Sequence, residues 1–343
     1  MNYDEIYMQR CIELASLGLG KTYPNPTVGS VIVHKDKIIG EGWHKEAGGP
    51  HAEVNAINSV EDTSLLYSAT LYVSLEPCAH QGKTPACVDL ILKHSIPRVI
   101  IGCEDPFEKV SGRSIKKLRD AGVEVISGIL ERKCIESHKR FFCFNSNKRP
   151  YIILKWAESA DGFIAPTNQK KGKPFWITSQ DSKTYVHKWR TEEASILVGR
   201  RTAEMDNPFL TARKWKGNQP LRLVIDPELK LSKNLNLFDD KSETWVFSKK
   251  IKENNLTNKF IQIPFEYSLQ EIMLILYKKE ISSILVEGGR ETIQNFIDQN
   301  LWDEARVFFS FKEIGSGISA PNIKGTLQSE VNISSDKLKT YIR

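Results

Sequence analysis

The chain has 343 residues, of which 40% are hydrophobic and 26% charged, with a net charge of +6; that length admits two domains or one large one, and the composition is ordinary for a soluble globular protein. No apolar run approaches the ~20 residues of a membrane span, and six cysteines are too sparse in such a chain for a disulfide framework. The modest positive charge suits anionic small substrates as well as nucleic acid and excludes neither. The opening Met1-Asn2-Tyr3-Asp4-Glu5 lacks the basic region and apolar core of a signal peptide, so a cytoplasmic protein with no membrane partner is expected.

Residues 4–20 read as an amphipathic helix, with Ile6, Tyr7, Ile12, Leu14, Ala15 and Leu19 on one face and Gly18 and Gly20 as stop signals. Two prolines make Tyr23 to Gly29 a rigid loop. Ser30 to His34 and Ile38 to Gly40 form a hairpin about Lys35-Asp36-Lys37. A helix is expected over His51 to Val60 and a strand over Ala69 to Leu75. Pro85 fits the first turn of a helix that places Cys87 near its N-terminus. A strand (98–102), a helix (114–121), a strand (123–127) and a helix (131–144) complete an α/β pattern with a layered sheet. The polar stretch Asn145 to Pro150 reads as a linker.

The pattern then restarts. Tyr151 to Ala157 is a strand and Asp161-Gly162 a turn; Ser179 to Trp189 is a helix with Thr178 or Ser179 as N-cap. Ser195 to Gly199 and Leu221 to Asp226 are buried strands, with weaker ones at 244–248 and 260–263. Leu269 to Lys279 is a helix. Ser283 to Glu287 is a strand running into Gly288-Gly289 and a helix over Glu291 to Gln299. The last twenty residues are polar and carry no clear periodicity.

Chemistry concentrates between His51 and Cys87. His51, Cys78 and Cys87 offer one imidazole and two thiolates, a three-ligand set that leaves a fourth tetrahedral position for water, as catalytic zinc sites do. Glu53 lies two residues after His51 and can carry protons beside the metal. His-x-Glu followed by Pro-Cys and a downstream Cys is the signature of zinc deaminases of nucleobases. Cysteine pairs alone are usually buried core residues; the ordered combination is what separates this stretch from chance. In the second half, no Gly-x-Gly-x-x-Gly follows a strand, so a Rossmann fingerprint is absent. Glu287-Gly288-Gly289 does follow a strand and opens a helix, where backbone amides can approach phosphate.

These residues resemble the bifunctional deaminase-reductases of riboflavin biosynthesis over nearly the whole chain. The likeness rests on Pro24-Asn25-Pro26, Val28-Gly29, Gly42, His44, His51-Ala52-Glu53, Glu76-Pro77-Cys78-Ala79-His80, Gly82-Lys83-Thr84-Pro85 and Cys87. It continues through Lys155, Ser159-Ala160-Asp161-Gly162, Trp176-Ile177-Thr178-Ser179, Arg190, Gly199, Thr202, Asp206-Asn207-Pro208, Leu210-Thr211, Arg213 and Glu287-Gly288-Gly289. The long spacer between Cys78 and Cys87 is unlike the short one of cytidine and tRNA adenosine deaminases. Ala86, Ala160 and Glu158 depart from the family's usual Pro, Leu and small residue.

The resemblance implies a cytidine-deaminase-like three-layer α/β domain over 1–146 and a dihydrofolate-reductase-like α/β domain over 150–343. It implies zinc-dependent deamination of 2,5-diamino-6-(5-phosphoribosylamino)pyrimidin-4(3H)-one. NADPH reduction of the ribosyl group of 5-amino-6-(5-phosphoribosylamino)uracil to ribityl would follow. Zinc would sit on His51, Cys78 and Cys87 with Glu53 as acid and base. Asn25, His44, His80 and Lys83 would bind the deaminase substrate. Glu158, Trp176, Thr202, Asp206, Gly288 and Gly289 would bind NADPH, and Lys155, Arg190, Leu210, Arg213 and Glu287 the reductase substrate. The partner is then a small phosphorylated pyrimidine, with no nucleic acid, in a homodimer or higher homo-oligomer built through the reductase domain. A nucleoside or tRNA deaminase with an unrelated C-terminal domain is the rival, but no aromatics interleave with basic residues around the zinc motif. A non-catalytic zinc module would want a fourth ligand and has no use for Glu53.

Overall fold

The computed structural model describes residues 2–79, 86–106, 112–264 and 266–343. They fall into two compact units, Met1–Lys148 and Arg149–Arg343. No helix among the described residues is long and apolar enough to cross a membrane.

The first unit contains α1 (Tyr3–Ser16), β1 (Gly29–His34), β2 (Lys37–Trp43), α2 (Ala52–Asn58), β3 (Thr70–Leu75) and α3 (Cys87–Lys93). Next come β4 (Arg98–Cys103), α4 (Arg113–Asp120), β5 (Glu124–Ser127), α5 (Glu131–Ser137) and α6 (Lys139–Asn147). Its sheet runs β2-β1-β3-β4-β5, with β1 antiparallel to both neighbours and β3, β4 and β5 parallel. Successive strand residues point to opposite faces. Ile32, Leu71, Val73, Val99 and Ile101 accordingly pack with Ala56, Ile57, Val88, Ile91, Ile115 and Leu118 of α2, α3 and α4. Val31, Val33, Tyr72 and Ile100 pack with Tyr7, Met8, Cys11 and Leu14 of α1 and Cys134 of α5. Burial on both faces is why β3 and β4 read as largely apolar runs without alternation. The four cysteines outside the zinc motif, Cys11, Cys103, Cys134 and Cys143, are buried.

Two local expectations are corrected here. The helix expected over 131–144 breaks at His138, whose φ of −100° and ψ of 11° separate α5 from α6. The stretch Asn145 to Asn147, read as linker, is the last turn of α6, which ends at Lys148 in a left-handed conformation.

The second unit comprises β6 (Tyr151–Glu158), β7 (Phe163–Pro166), α7 (Gln180–Glu192), β8 (Ser195–Gly199), α8 (Arg200–Asp206), β9 (Leu221–Ile225), β10 (Thr244–Ser248) and β11 (Asn258–Gln262). These are followed by α9 (Leu269–Lys278), β12 (Ser283–Val286), α10 (Arg290–Asp298), β13 (Glu304–Phe309), β14 (Gly317–Ser319), β15 (Thr326–Ile333) and β16 (Asp336–Ile342). Nine strands form one sheet in the order β11-β10-β9-β8-β12-β6-β13-β16-β15, and β14 pairs with β7. Strands from β11 to β13 are parallel; β16 and β15 run antiparallel at one edge. Ile152, Leu154, Leu197, Leu223 and Val286 face α9 and α10, while Ile196, Val198 and Val224 face Ala203 of α8. Trp189 of α7 stacks on Phe308 of β13 at 5.4 Å. Ser179 caps α7 by accepting from the Ser182 amide, as the sequence led us to expect. The strands β7, β13, β14, β15 and β16 and the helix α8 were not anticipated.

Candidate active sites

The first site is set by the closeness of β2 and α2. A Cβ at Gly42 would come within 2.3 Å of the Ala56 nitrogen, so glycine lets the helix lie directly on the strand. His51 is the N-cap of α2 and Glu53 lies in its first turn. β3 then delivers Glu76-Pro77-Cys78. The buried Glu76 carboxylate accepts from the amides of Asp105, Gly112 and Ser114 at 3.2, 3.0 and 3.2 Å, which anchors the start of the Cys78 segment. Cys87 opens α3.

His51 Nδ1 consequently lies 3.3 Å from Cys87 Sγ and 3.6 Å from Cys78 Sγ, and the Cys87 amide donates to Cys78 Sγ at 3.3 Å. These three donor atoms lie within 4.8 Å of one another, and no other such cluster occurs among the described residues. The hydrogen bond from Cys87 draws the Cys78 thiol well below its ordinary value, and Cys78 in turn pushes Cys87 far up. Glu53 is 3% exposed; burial, with Cys78 adding to it, pushes its carboxyl up to about 7. One nitrogen and two sulfur donors converging beside a buried carboxyl fit a tetrahedral Zn2+, whose charge would relieve this crowding of acidic groups.

His44 Nδ1 donates to the Pro50 carbonyl at 3.0 Å, which leaves Nε2 to accept from Asn25 Nδ2 at 3.2 Å. The His44 ring meets that of His51 edge-on at 5.4 Å. Asn25 and His44 are therefore joined beside the donor cluster. His80 and Lys83 lie outside the described residues.

The second site is a cavity of about 1040 Å³ in the second unit, lined by Lys155, Trp176, Arg190, Thr202, Asp206, Leu210, Arg213, Glu287, Gly288 and Gly289 among others. Of the residues expected there, Glu158 alone is not part of the lining; its carboxylate accepts from Trp156 Nε1 at 3.0 Å. Arg190 grips Glu287 with both arms at 2.8 Å, and Lys155 Nζ stands 3.8 Å from the same carboxylate. Burial opposes ionisation of Glu287, but Arg190 and Lys155 outweigh it and hold the carboxyl at about 2. Burial also keeps the Lys155 ammonium below its ordinary value against the pull of Glu287. Asp206 is pushed up by burial and drawn back by Gln169 and Lys155, with Gln169 Nε2 donating to it at 2.6 Å.

At the far wall β12 leads into α10. A Cβ at Gly288 would lie 3.0 Å from the Gly199 nitrogen, and the Gly289 amide donates to Thr202 Oγ1 at 2.6 Å. Among the further lining residues that sequence reasoning did not assign to the site are Gln169 and His187. Gln169 sits in a lysine-rich loop with no pattern to mark it; His187, three residues before Arg190 on one helix, had a spacing that could have found it.

Residues 1–103 match the model of the cytidine and deoxycytidylate deaminase zinc-binding region, and residues 150–342 match that of the RibD C-terminal domain. The riboflavin biosynthesis protein RibD of Aquifex aeolicus is 39% identical over 92% of this chain and 89% of its own length. The chain belongs to the RibD family. RibD of Escherichia coli is 34% identical over 91% of this chain and 89% of its own. Among solved structures, the Thermotoga maritima diaminohydroxyphosphoribosylaminopyrimidine deaminase/5-amino-6-(5-phosphoribosylamino)uracil reductase superposes with a TM-score of 0.91 at 36% identity, covering 99% of this chain and 98% of that one. As a RibD, this is a bifunctional deaminase and reductase of riboflavin biosynthesis, joining a cytidine-deaminase-like fold to a dihydrofolate-reductase-like one. Zn2+ and NADPH are the cofactors that go with those two halves.

Proposed function

We propose that residues 1–146 hydrolytically deaminate 2,5-diamino-6-(5-phosphoribosylamino)pyrimidin-4(3H)-one, and that residues 150–343 reduce the ribosyl group of the resulting 5-amino-6-(5-phosphoribosylamino)uracil. The observation that carries the reading is the convergence of His51 Nδ1, Cys78 Sγ and Cys87 Sγ within 4.8 Å in the same chain as a second, charged cavity. Zn2+ on those three atoms supplies the Lewis acidity that makes water a nucleophile near neutral pH. Glu53, buried alongside, accepts and returns the protons of the hydrolysis. Asn25 and His44 hold the ring and ribose, with His80 and Lys83 toward the ribose phosphate.

In the reductase half NADPH supplies the hydride. Trp176, Thr202, Asp206, Gly288 and Gly289 would hold the dinucleotide. Lys155 and Asp206 flank the ribose. Three of the five N–H groups of Arg190 are engaged, two by Glu287 and one by the Thr211 carbonyl, which leaves two for a ligand. Arg213 and these two donors bind the substrate phosphate, Glu287 fixes Arg190 against Lys155, and Leu210 closes the wall. Glu158 is left out because its carboxylate turns to Trp156. The enzyme works in the cytoplasm on a phosphorylated pyrimidine without nucleic acid, as a homodimer or higher homo-oligomer through the reductase domain.

Cys87→Ser tests the metal site: zinc content and ammonia release are expected to fall together, while a variant with full zinc and full turnover would remove Cys87 as a ligand. A truncated chain beginning at Arg149 tests the division of labour. It is expected to reduce the already deaminated pyrimidine with NADPH, without zinc, and to release no ammonia from the diamino compound. A folded but inactive truncated chain would show that the first unit is needed for reduction.

A further inference from the structure

We propose that His187 is a positioning residue of the reductase: its Nδ1 holds the backbone of Arg213, and with it the turn 210–213, where that arginine meets the substrate phosphate. This rests on the assignment of Arg213 to phosphate made above.

The turn cannot hold itself. Leu210 has a φ of +55°, a left-handed conformation unfavourable for a side chain of this bulk, so its surroundings must impose it. Three side chains do so. Arg190 Nη1 donates to the Thr211 carbonyl at 3.0 Å. Gln219 accepts from the Ala212 amide at 2.7 Å and donates to the Ala212 carbonyl at 3.2 Å. His187 Nδ1 accepts from the Arg213 amide at 3.0 Å. Only the last of these grips Arg213 itself. His187 and Arg190 lie three apart on α7 and share a face, and both line the cavity.

The bond needs a lone pair on Nδ1, hence a neutral ring with its proton on Nε2. The surroundings secure that state. Burial, then Arg190 on the same helix and Arg213 and Lys214 on the turn, outweigh Glu287 and hold the imidazole down at about 4. The ring is therefore neutral and accepting near neutral pH, and it places Arg213 without competing with it for the anion.

The test compares His187→Ala, His187→Asn and Arg213→Ala in the full chain. Each is assayed for reduction of the phosphorylated substrate at saturating NADPH, and for inhibition by inorganic phosphate. His187→Ala is expected to raise the substrate KM about tenfold and weaken phosphate inhibition to match, about the worth of the one hydrogen bond that fixes the backbone of a phosphate ligand. Its kcat should stay within about twofold, the pattern of lost uniform binding. The Oδ1 of Asn can stand in for Nδ1, so His187→Asn should recover most of the loss. If Arg213→Ala raises KM while His187→Ala does not, the role of His187 is overturned and the phosphate assignment stands. If neither raises KM, both fall. A His187→Asn enzyme that melts like the parent yet binds as poorly as His187→Ala also overturns the proposal. Should His187→Ala not fold, the Asn variant decides: a KM near the parent's supports the role, and a KM like that of Arg213→Ala overturns it.

Discussion

Glu53→Gln is expected to keep its zinc and lose deaminase turnover by roughly a hundred- to ten-thousand-fold, the usual worth of a positioned acid-base group. The amide has the shape of the carboxyl and is not one of the three converging donor atoms, which come from His51, Cys78 and Cys87. It cannot, however, take up a proton from water or return one to the leaving amine. Glu53 is buried in the first turn of α2, two residues from His51, which fixes its carboxyl beside the donor atoms. Metal content and ammonia release measured on one preparation decide the matter. A near-parental rate with zinc in place would take proton transfer away from Glu53.

The second large effect is expected from Glu287→Gln. The substitution leaves volume almost unchanged and removes the charge that pairs with both Arg190 and Lys155. Side-chain exposures of 9% for Glu287 and 12% for Arg190 mean that water can take its place only in part. Breaking a buried pair of this kind costs about 3–5 kcal/mol, a fall in Tm on the order of 10 °C for a unit of this size. The pH dependence has a definite sign. A carboxyl depressed to about 2 in the folded chain, against about 4.3 when unfolded, stabilises fully above pH ~4.3 and loses that contribution as pH falls through about 2. Urea unfolding of the parent and the variant should therefore give a constant gap from pH 7 to 5 that narrows in acid. A gap below about 1 kcal/mol at pH 7 would mean the cluster behaves like a surface pair.

The layered α/β pattern of both units was legible because β1, β3, β4, β6 and β8 are buried on both faces and spell out apolar runs. The zinc set was legible because its chemistry is local: two short segments hold all the donors. What was missed lacked a one-dimensional signal. In β13, Glu304 and Arg306 fall on one face of a strand and pair at 2.6 Å, so a buried strand looks charged. In β15, seven of eight positions are exposed; an edge with no core side has no periodicity to read. The helix α8 has seven residues and one buried side chain, Ala203. Gln169 and His187 act through partners distant in sequence, Asp206 and Arg213, and only the fold brings them together.

The place of β6 has a consequence for how the protein is made. Its four leading residues, Tyr151-Ile152-Ile153-Leu154, pair with Ser283 to Val286 on one side, and the same strand pairs with Glu304 to Phe309 on the other. A ribosome must add roughly 130 residues after Tyr151 before either neighbour exists, whereas β1 meets β2 across a two-residue turn. Pairing over such separations is slow, and an apolar strand kept waiting is a template for other chains. The emerging second half thus spends much of its synthesis with this apolar strand uncovered. Changes that weaken β12, β13 or the β16 strand laid against β13 will show themselves first as protein lost to aggregates during expression, before any turnover is measured.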